Sequence, residues 1–256
     1  MEAVLRKPFQ GVTNIIRFNW HFYVFAGVVI LLSLASLIFI PAALSWMVYV
    51  VALITFLTTF ISLAVSCYVY DYSGLYKLQW LQLLAIEKNA KLVNINAGFD
   101  ETSAILLSHY PTADLCVFDF YDPEKHTEVS IARARKAYGA YPGTIAINTS
   151  SIPLEKNSVD VVFNIFAVHE IRETKEREHF LRTQHDVLKP GGVCVVVEHL
   201  RDVSNFMAYN IGFLHFFSSA TWKGNFAAAN FTITQTKKIT PFVTVFILKR
   251  NNGNTP

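Results

Sequence analysis

Residues 91–103, KLVNINAGFDETS, hold the spacing in this chain with the clearest chemical use. Residues 92–95 read as a short strand. Asn96-Ala97-Gly98-Phe99 reads as a tight loop, with Gly98 free to take a positive φ or to let a ligand approach the backbone. Asp100 is a good N-cap for a helix over 101–110, which Pro111 stops. A strand, a small-residue loop and a helix N-terminus, followed by more strands and helices, is how doubly wound α/β sheets begin their ligand site. Side chains suited to accepting a proton come later: His169, His199 and His215. His169 opens the run HEIRE, which is not the HExxH of a zinc protease. His169, Glu173, Glu176 and His179 recur at helical spacing, which a solvated charged helix explains. Cys67, Cys116 and Cys194 lie in apolar segments without CxxC spacing, so buried thiols are expected and a metal site is not. No Ser/His/Asp or Cys/His nucleophile set is evident.

The elements that must position these residues follow in order. Residues 115–118 form a short apolar strand ending in Asp119, and 127–138 have helical spacing with Arg133, Arg135 and Lys136 on a wet face. Strands are expected over 144–147 and 159–163, then a charged helix over 173–188. Lys189-Pro190-Gly191-Gly192 reads as a turn before a strand over 193–198. Continuous Val/Ile runs with helices between them mean strands buried on both faces of a parallel sheet. Residues 231–237 and 242–249 read as an antiparallel hairpin, and 251–256 as a frayed tail.

The N-terminal third is of another kind. The chain is 52% hydrophobic and 16% charged, and residues 22–70 contain no Asp, Glu, Lys or Arg. Residues 22–40 and 44–69 are each long enough to span a bilayer, with Pro41 between them. Aromatic residues flank both segments: Trp20 and Tyr23, Trp46 and Tyr49, then Tyr68, Tyr70 and Tyr72. Arg6, Lys7 and Arg17 precede the pair, Lys77, Lys88 and Lys91 follow it, and the turn carries no charge. The positive-inside rule then places both ends in the cytoplasm, as a multi-pass protein of the inner membrane. Residues 71–90 read as a connector, helical around 76–86. A net charge of +3 without a Lys/Arg block does not suggest nucleic acid as a partner.

Three stretches, taken together, resemble the class I S-adenosylmethionine-dependent methyltransferases, in their type 11-like form. They are Ile152-Pro153-Leu154 leading into Val159-Asp160-Val161-Val162, then Val168-His169-Glu170-Ile171, then Val187-Leu188-Lys189-Pro190-Gly191-Gly192. The resemblance covers roughly residues 91–250, and with the apolar hairpin the whole chain looks like a membrane-anchored bacterial branch of that family. It implies a Rossmann-like α/β sheet, mostly parallel with a terminal antiparallel hairpin, and S-adenosyl-L-methionine as cofactor. The first motif departs from the family pattern: Asn94 stands in the acidic position, and Asn96 and Asp100 replace two of three glycines around Gly98. Carried over residue by residue, the cofactor-binding set is Asn94, Asn96, Ala97, Gly98, Asp119, Phe120, Thr149, Ser150 and Asn164. Asp119 would hold the ribose hydroxyls, and Phe120 would pack on the adenine.

A dinucleotide dehydrogenase shares the fold logic. However, Asp100 and Glu101 would set two carboxylates where its diphosphate binds, and G-x-G-x-x-G is missing. The expected division is therefore 1–21 as a cytoplasmic segment, 22–70 as a transmembrane helical hairpin, 71–90 as connector, 91–250 as the methyltransferase-like domain and 251–256 as tail. A membrane anchor suits a lipophilic small-molecule acceptor, and the aromatic segment 199–226 is a candidate wall for it. A non-catalytic binding or scaffolding protein is the competing expectation. The oligomeric state is not legible.

Overall fold

The apolar runs around Val93, Val162 and Val195 have no wet face, and the computed structural model, which describes residues 6–250, places them at the centre of one seven-stranded sheet. The strands are β1 (Lys91–Asn96), β2 (Asp114–Asp119), β3 (Ile145–Ala146), β4 (Val159–Ile165), β5 (Leu188–His199), β6 (Phe231–Lys238) and β7 (Val243–Arg250), in the order β3-β2-β1-β4-β5-β7-β6. Pairing is parallel from β3 through β5, and β7 is antiparallel to both of its neighbours. The strand order reverses between β1 and β4, so a crevice opens beyond their carboxyl ends.

Alternate residues along each strand serve different cores. On one face Val93, Ile95, Phe118, Val162 and Val196 meet Phe180, Leu181, Trp222 and Phe226. On the other, Leu92, Val161, Phe163, Val195 and Val245 meet Val69, Leu75, Leu78, Trp80 and Leu106. The connector is thus a structural cover for the sheet. It is not the single helix expected over 76–86. A wide turn at Tyr68–Tyr72 and 3-10 turns at Leu75–Lys77 and Gln79–Leu83 replace it, with Leu78 in the left-handed region at φ 49°. The break lets Leu75, Leu78 and Trp80 all reach the sheet.

The interstrand helices are α4 (Ser103–His109), α5 (Val129–Ala137), α6 (Thr174–Val187), α7 (Val203–Tyr209) and α8 (Ser219–Ala228). β5 starts earlier than expected, at Leu188, because Lys189-Pro190-Gly191-Gly192 runs on within the strand through a register shift against β4. Gly191, at φ 84°, supplies the bend.

Ahead of the sheet lie α1 (Gln10–Phe18), α2 (Trp20–Ser36) and α3 (Ser45–Cys67). The helical stretch Ala42–Lys77, which includes α3, is long and apolar enough to cross a membrane. The expected first span does not meet that test alone. α2 has 17 residues, about 25 Å of helix, and it qualifies only jointly with α1 across a 72° bend. α2 packs along α3, and both carry exposed large apolar side chains such as Phe25, Leu31, Leu53 and Phe60. The expected tail at 251–256 lies outside the described residues.

Trp222 is fully buried, stacked on Phe226 and edge-on to Phe217. It belongs to the core, not to the wall of an acceptor pocket as its place in the aromatic segment suggested. Trp222→Ala should cost about 3–5 kcal/mol, as large-to-small changes at packed aromatic sites do. Thermal unfolding of the full chain in detergent should show a fall of several degrees. An unchanged melting temperature would contradict this placement.

Candidate functional site

The crevice is built from the ends of β1, β2 and β4. Parallel pairing sets Asn96 beside Asp119 at the last register position of β1 and β2. Asn94, one pleat back, turns its amide to α4, donating from Nδ2 to Thr102 Oγ1 at 3.0 Å and Ser103 Oγ at 2.8 Å. In the loop, Gly98 has φ 95°, and Asn96 Oδ1 accepts its N–H at 3.3 Å. Asp100 caps the helix start as expected, with Oδ1 accepting from the N–H groups of Thr102 and Ser103 at 2.8 and 2.9 Å. The helix itself begins at Ser103, with Thr102 at the N-cap position, two residues later than expected. Asn94 Oδ1, Asn96 Nδ2 and Asp100 Oδ2 are buried without a protein partner, so this loop retains donors and acceptors that a polar ligand can satisfy.

Arg135 of α5, which the sequence placed on a wet face, lies over this loop. Its guanidinium pairs with Asp119 Oδ2, donates to Gly98 O at 3.4 Å and stands 4.6 Å from the Tyr121 ring centroid. A Cβ on Gly98 would meet Ile131 Cγ2 at 2.9 Å, Tyr121 Cδ2 at 3.0 Å and Arg135 Cδ at 3.1 Å. The close approach that glycine allows is therefore taken here by side chains of α5 and the loop before it. Two small cavities remain, one of about 90 Å³ beside Asp119 and Arg135, the other of about 130 Å³ between Ala97, Phe166 and Glu170. Ligand pockets for molecules of cofactor size run to about 300 Å³ or more. The donor set fits S-adenosylmethionine, whereas the room left by Arg135 and α5 does not.

α1 closes the same side. Phe18 packs edge-on against Phe99 and Tyr138, and Arg133 donates to Phe18 O at 2.5 Å. Glu101 does not face the crevice as a free charge. Arg6 and Tyr76 both donate to it at 2.7 Å.

The other predicted cofactor contacts are dispersed. The Phe120 ring is buried edge-on to Phe180 and His126. Thr149 donates to Glu176, and exposed Ser150 bonds Asn148. Asn164 donates to Gln184 Oε1 at 2.7 Å, on the α6 side of the sheet.

Of the three histidines, His169 and His215 are brought together, with ring centroids 5.1 Å apart. Glu170 lies between them, its Oε1 at 3.1 Å from His169 Nε2 and 3.5 Å from His215 Nε2. Buried Glu198 holds His169 Nδ1 at 2.7 Å. Burial alone would lower the His169 pKa, but Glu198 and Glu170 outweigh it and raise it to about 10. A ring so held keeps its proton at neutral pH and is not a free base. Burial likewise works against the Glu170 charge, yet His169 and His215 hold its pKa well below the usual carboxylate range.

His199 is set apart. It stacks between Phe166 and Phe216, Nε2 lies 2.8 Å from the Tyr70 hydroxyl, and Nδ1 lies 3.0 Å from Phe242 O. The carbonyl can only accept, so Nδ1 carries the proton and Nε2 accepts from Tyr70. Arg135, Glu198 and the α1 residues had no spacing signal in the sequence, because each reaches the site from a distant element.

Burial pushes the His199 pKa down to about 4 from an ordinary 6.5. The folded chain thus binds fewer protons than the unfolded one in that window. Stability that is present above pH 6.5 is lost as pH falls toward 4. Melting temperatures between pH 7 and pH 4 should fall more steeply for the parent than for His199→Phe. Equal slopes would contradict the buried neutral ring.

Comparison with known proteins agrees with this geometry. Residues 111–196 match the family model described as a methyltransferase domain. The mitochondrial 2-methoxy-6-polyprenyl-1,4-benzoquinol methylase of Caenorhabditis elegans is 29% identical over 127 residues, which cover 48% of this chain and 43% of that protein. This chain therefore spans less than half the length of that relative. Among solved structures, a Haloferax volcanii complex of a methyltransferase activator with a candidate methyltransferase aligns at a TM-score of 0.51 and 14% identity, covering 70% of this chain and 91% of the other. That likeness is one of fold. Residues 111–196 thus resemble a methyltransferase domain, and the sheet around them has the fold of the aligned structure.

Proposed function

We propose that the chain transfers a methyl group from S-adenosylmethionine to a lipophilic small-molecule acceptor at a membrane surface. The observation that carries this reading is the joint between the apolar helices and the crevice. α1 packs on Phe99 and Tyr138 at the crevice, and α3 runs through the Tyr68–Tyr72 turn to Asp71, which accepts the N–H groups of Gly11 and Val12 at 2.7 and 2.9 Å. α7 packs against α3, and α7 with the turns after it exposes Val203, Met207, Ile211 and Leu214. That apolar patch lies beside the helices and suits the inner face of a bilayer. An acceptor dissolved in the bilayer would be confined near the crevice, which raises its effective concentration. The benzoquinol methylase relative acts on a polyprenylated ring, and an acceptor of that chemical kind fits the same arrangement. The basic residues flanking 22–70 support a cytoplasmic position for the domain, 91–250, at the inner membrane.

When bound, S-adenosylmethionine supplies an electrophilic methyl on a sulfonium. The chain would bind it with Asn96, Ala97, Gly98 and Asp119, the carboxylate of Asp119 accepting two hydrogen bonds from the ribose diol. Asn94 would act from behind, by fixing the start of α4. Arg135 must leave Asp119 for this to happen. Positioning of two bound reactants is then the main source of rate.

A non-catalytic membrane module is the second reading, favoured by the ion pair over Asp119 and the narrow cavities. Calorimetry separates the two. Asp119→Ala should weaken S-adenosylmethionine binding at least about tenfold, since a charge-assisted hydrogen bond is worth about 1.5–3 kcal/mol. Arg135→Ala should tighten it by a similar factor. No binding by the parent or by Arg135→Ala would favour the second reading. For the acceptor, membranes incubated with methyl-labelled S-adenosylmethionine should yield label in the organic extract. Label confined to water-soluble products or to protein would overturn the lipophilic assignment.

A further inference from the structure

Glu170 is placed between two imidazoles that come from different parts of the chain. His169 and Glu170 follow β4, while His215 follows α7, more than forty residues later. One ligand-type atom from each of the three lies within 4.8 Å of the others. The two measured separations, 3.1 Å from His169 Nε2 to Glu170 Oε1 and 3.5 Å from His215 Nε2 to the same oxygen, are instructive. A tetrahedral zinc ion bound at about 2.0–2.1 Å keeps neighbouring ligand atoms about 3.3 Å apart. The outer ring nitrogens are held as well. Glu198 Oε2 lies 2.7 Å from His169 Nδ1, and Glu128 Oε1 lies 3.3 Å from His215 Nδ1. A carboxylate behind each imidazole fixes its orientation and turns Nε2 toward the cluster, as behind metal-ligating histidines. Arg172 pins the two segments together, donating to the backbone carbonyls of His169 at 3.1 Å and His215 at 2.7 Å.

We propose that His169, Glu170 and His215 form a binding site for a divalent first-row transition-metal ion, zinc being the natural probe. Two imidazoles and one carboxylate suit such an ion better than magnesium or calcium, which prefer all-oxygen shells. A ligand imidazole must be neutral, so the ion would take the place of the proton on His169 Nε2. Three protein ligands leave at least one coordination position open to water or to another oxygen. Glu170 also lines the 130 Å³ cavity with Asn96 and Phe166, so the ion would border the crevice between β1 and β4. Arg201 is not part of the ligand set, since it serves the carbonyls of Leu214 and Phe216 and so holds the segment that carries His215. The proposal stands whether or not the chain transfers methyl groups.

The test uses the full chain in detergent, stripped with a chelator and titrated with zinc by calorimetry. One equivalent should bind. His169→Ala/His215→Ala should abolish that equivalent, while His179→Ala, on the exposed face of α6, should leave it unchanged. Glu198→Gln should weaken binding about tenfold or more, the usual effect of losing a carboxylate behind a ligand. X-ray absorption of the zinc-loaded parent gives a readout that does not depend on the variants folding. It should show imidazole nitrogens with oxygen donors and no sulfur. Failure of the stripped parent to bind an equivalent, a sulfur-containing shell, or full binding by a folded double variant would each overturn the site.

Discussion

The central strands β1, β4 and β5 present apolar side chains to both faces, and both faces therefore have to be covered. α6 and α8 cover one. The other is covered in part by the connector, whose Leu75, Leu78 and Trp80 can reach the sheet only because the chain breaks into short turns after Asp71. With both faces closed, the strand ends are where a ligand can meet the sheet. The crevice over Asn96 and Asp119 is thus a consequence of how the hydrophobic residues are buried.

The same cover joins the apolar helices to the site. Asp71, in the turn after α3, accepts N–H groups at the start of α1, while Tyr70 in the same turn bonds His199 at the end of β5. α1 then reaches the glycine loop through Phe18, and Arg6, ahead of α1, reaches Glu101. The apolar helices and the crevice are thus linked by direct contacts. A shift of α1 relative to the sheet would be felt at Phe99 and at α5.

Buried charge is handled in two ways near the crevice. Asp119 meets a guanidinium that is itself 40% exposed and can swing into water. Glu170 and Glu198 meet imidazoles instead, in a cluster that is nearly closed to solvent. The first arrangement is reversible by rotation of one long side chain. The second is fixed by packing, and it holds its charges by mutual attraction against the cost of burial.

The order of strands and helices, the antiparallel end of the sheet and the Gly98 loop were legible from residues 91–250, because side-chain periodicity and turn chemistry are local properties. So was the capping role of Asp100, which needs only the two or three residues after it. The apolar character of 22–70 was equally plain, but length alone did not reveal that α2 is bent by 72° from α1. Four matters rested on tertiary structure. Arg135 is an exposed-looking helix residue until α5 is laid across Gly98. Trp222 belongs to an aromatic run until α8 buries it against Phe226. His199 looks like a base until Tyr70, over a hundred residues earlier, occupies its free nitrogen. His169 and His215 have no common spacing, and only the folding of the segment after β5 back over the end of β4 makes neighbours of them. Local sequence determines which elements form and where they turn. Which side chains meet is decided by packing, since the cost of leaving an apolar face uncovered exceeds any preference that a single polar residue has for its partner.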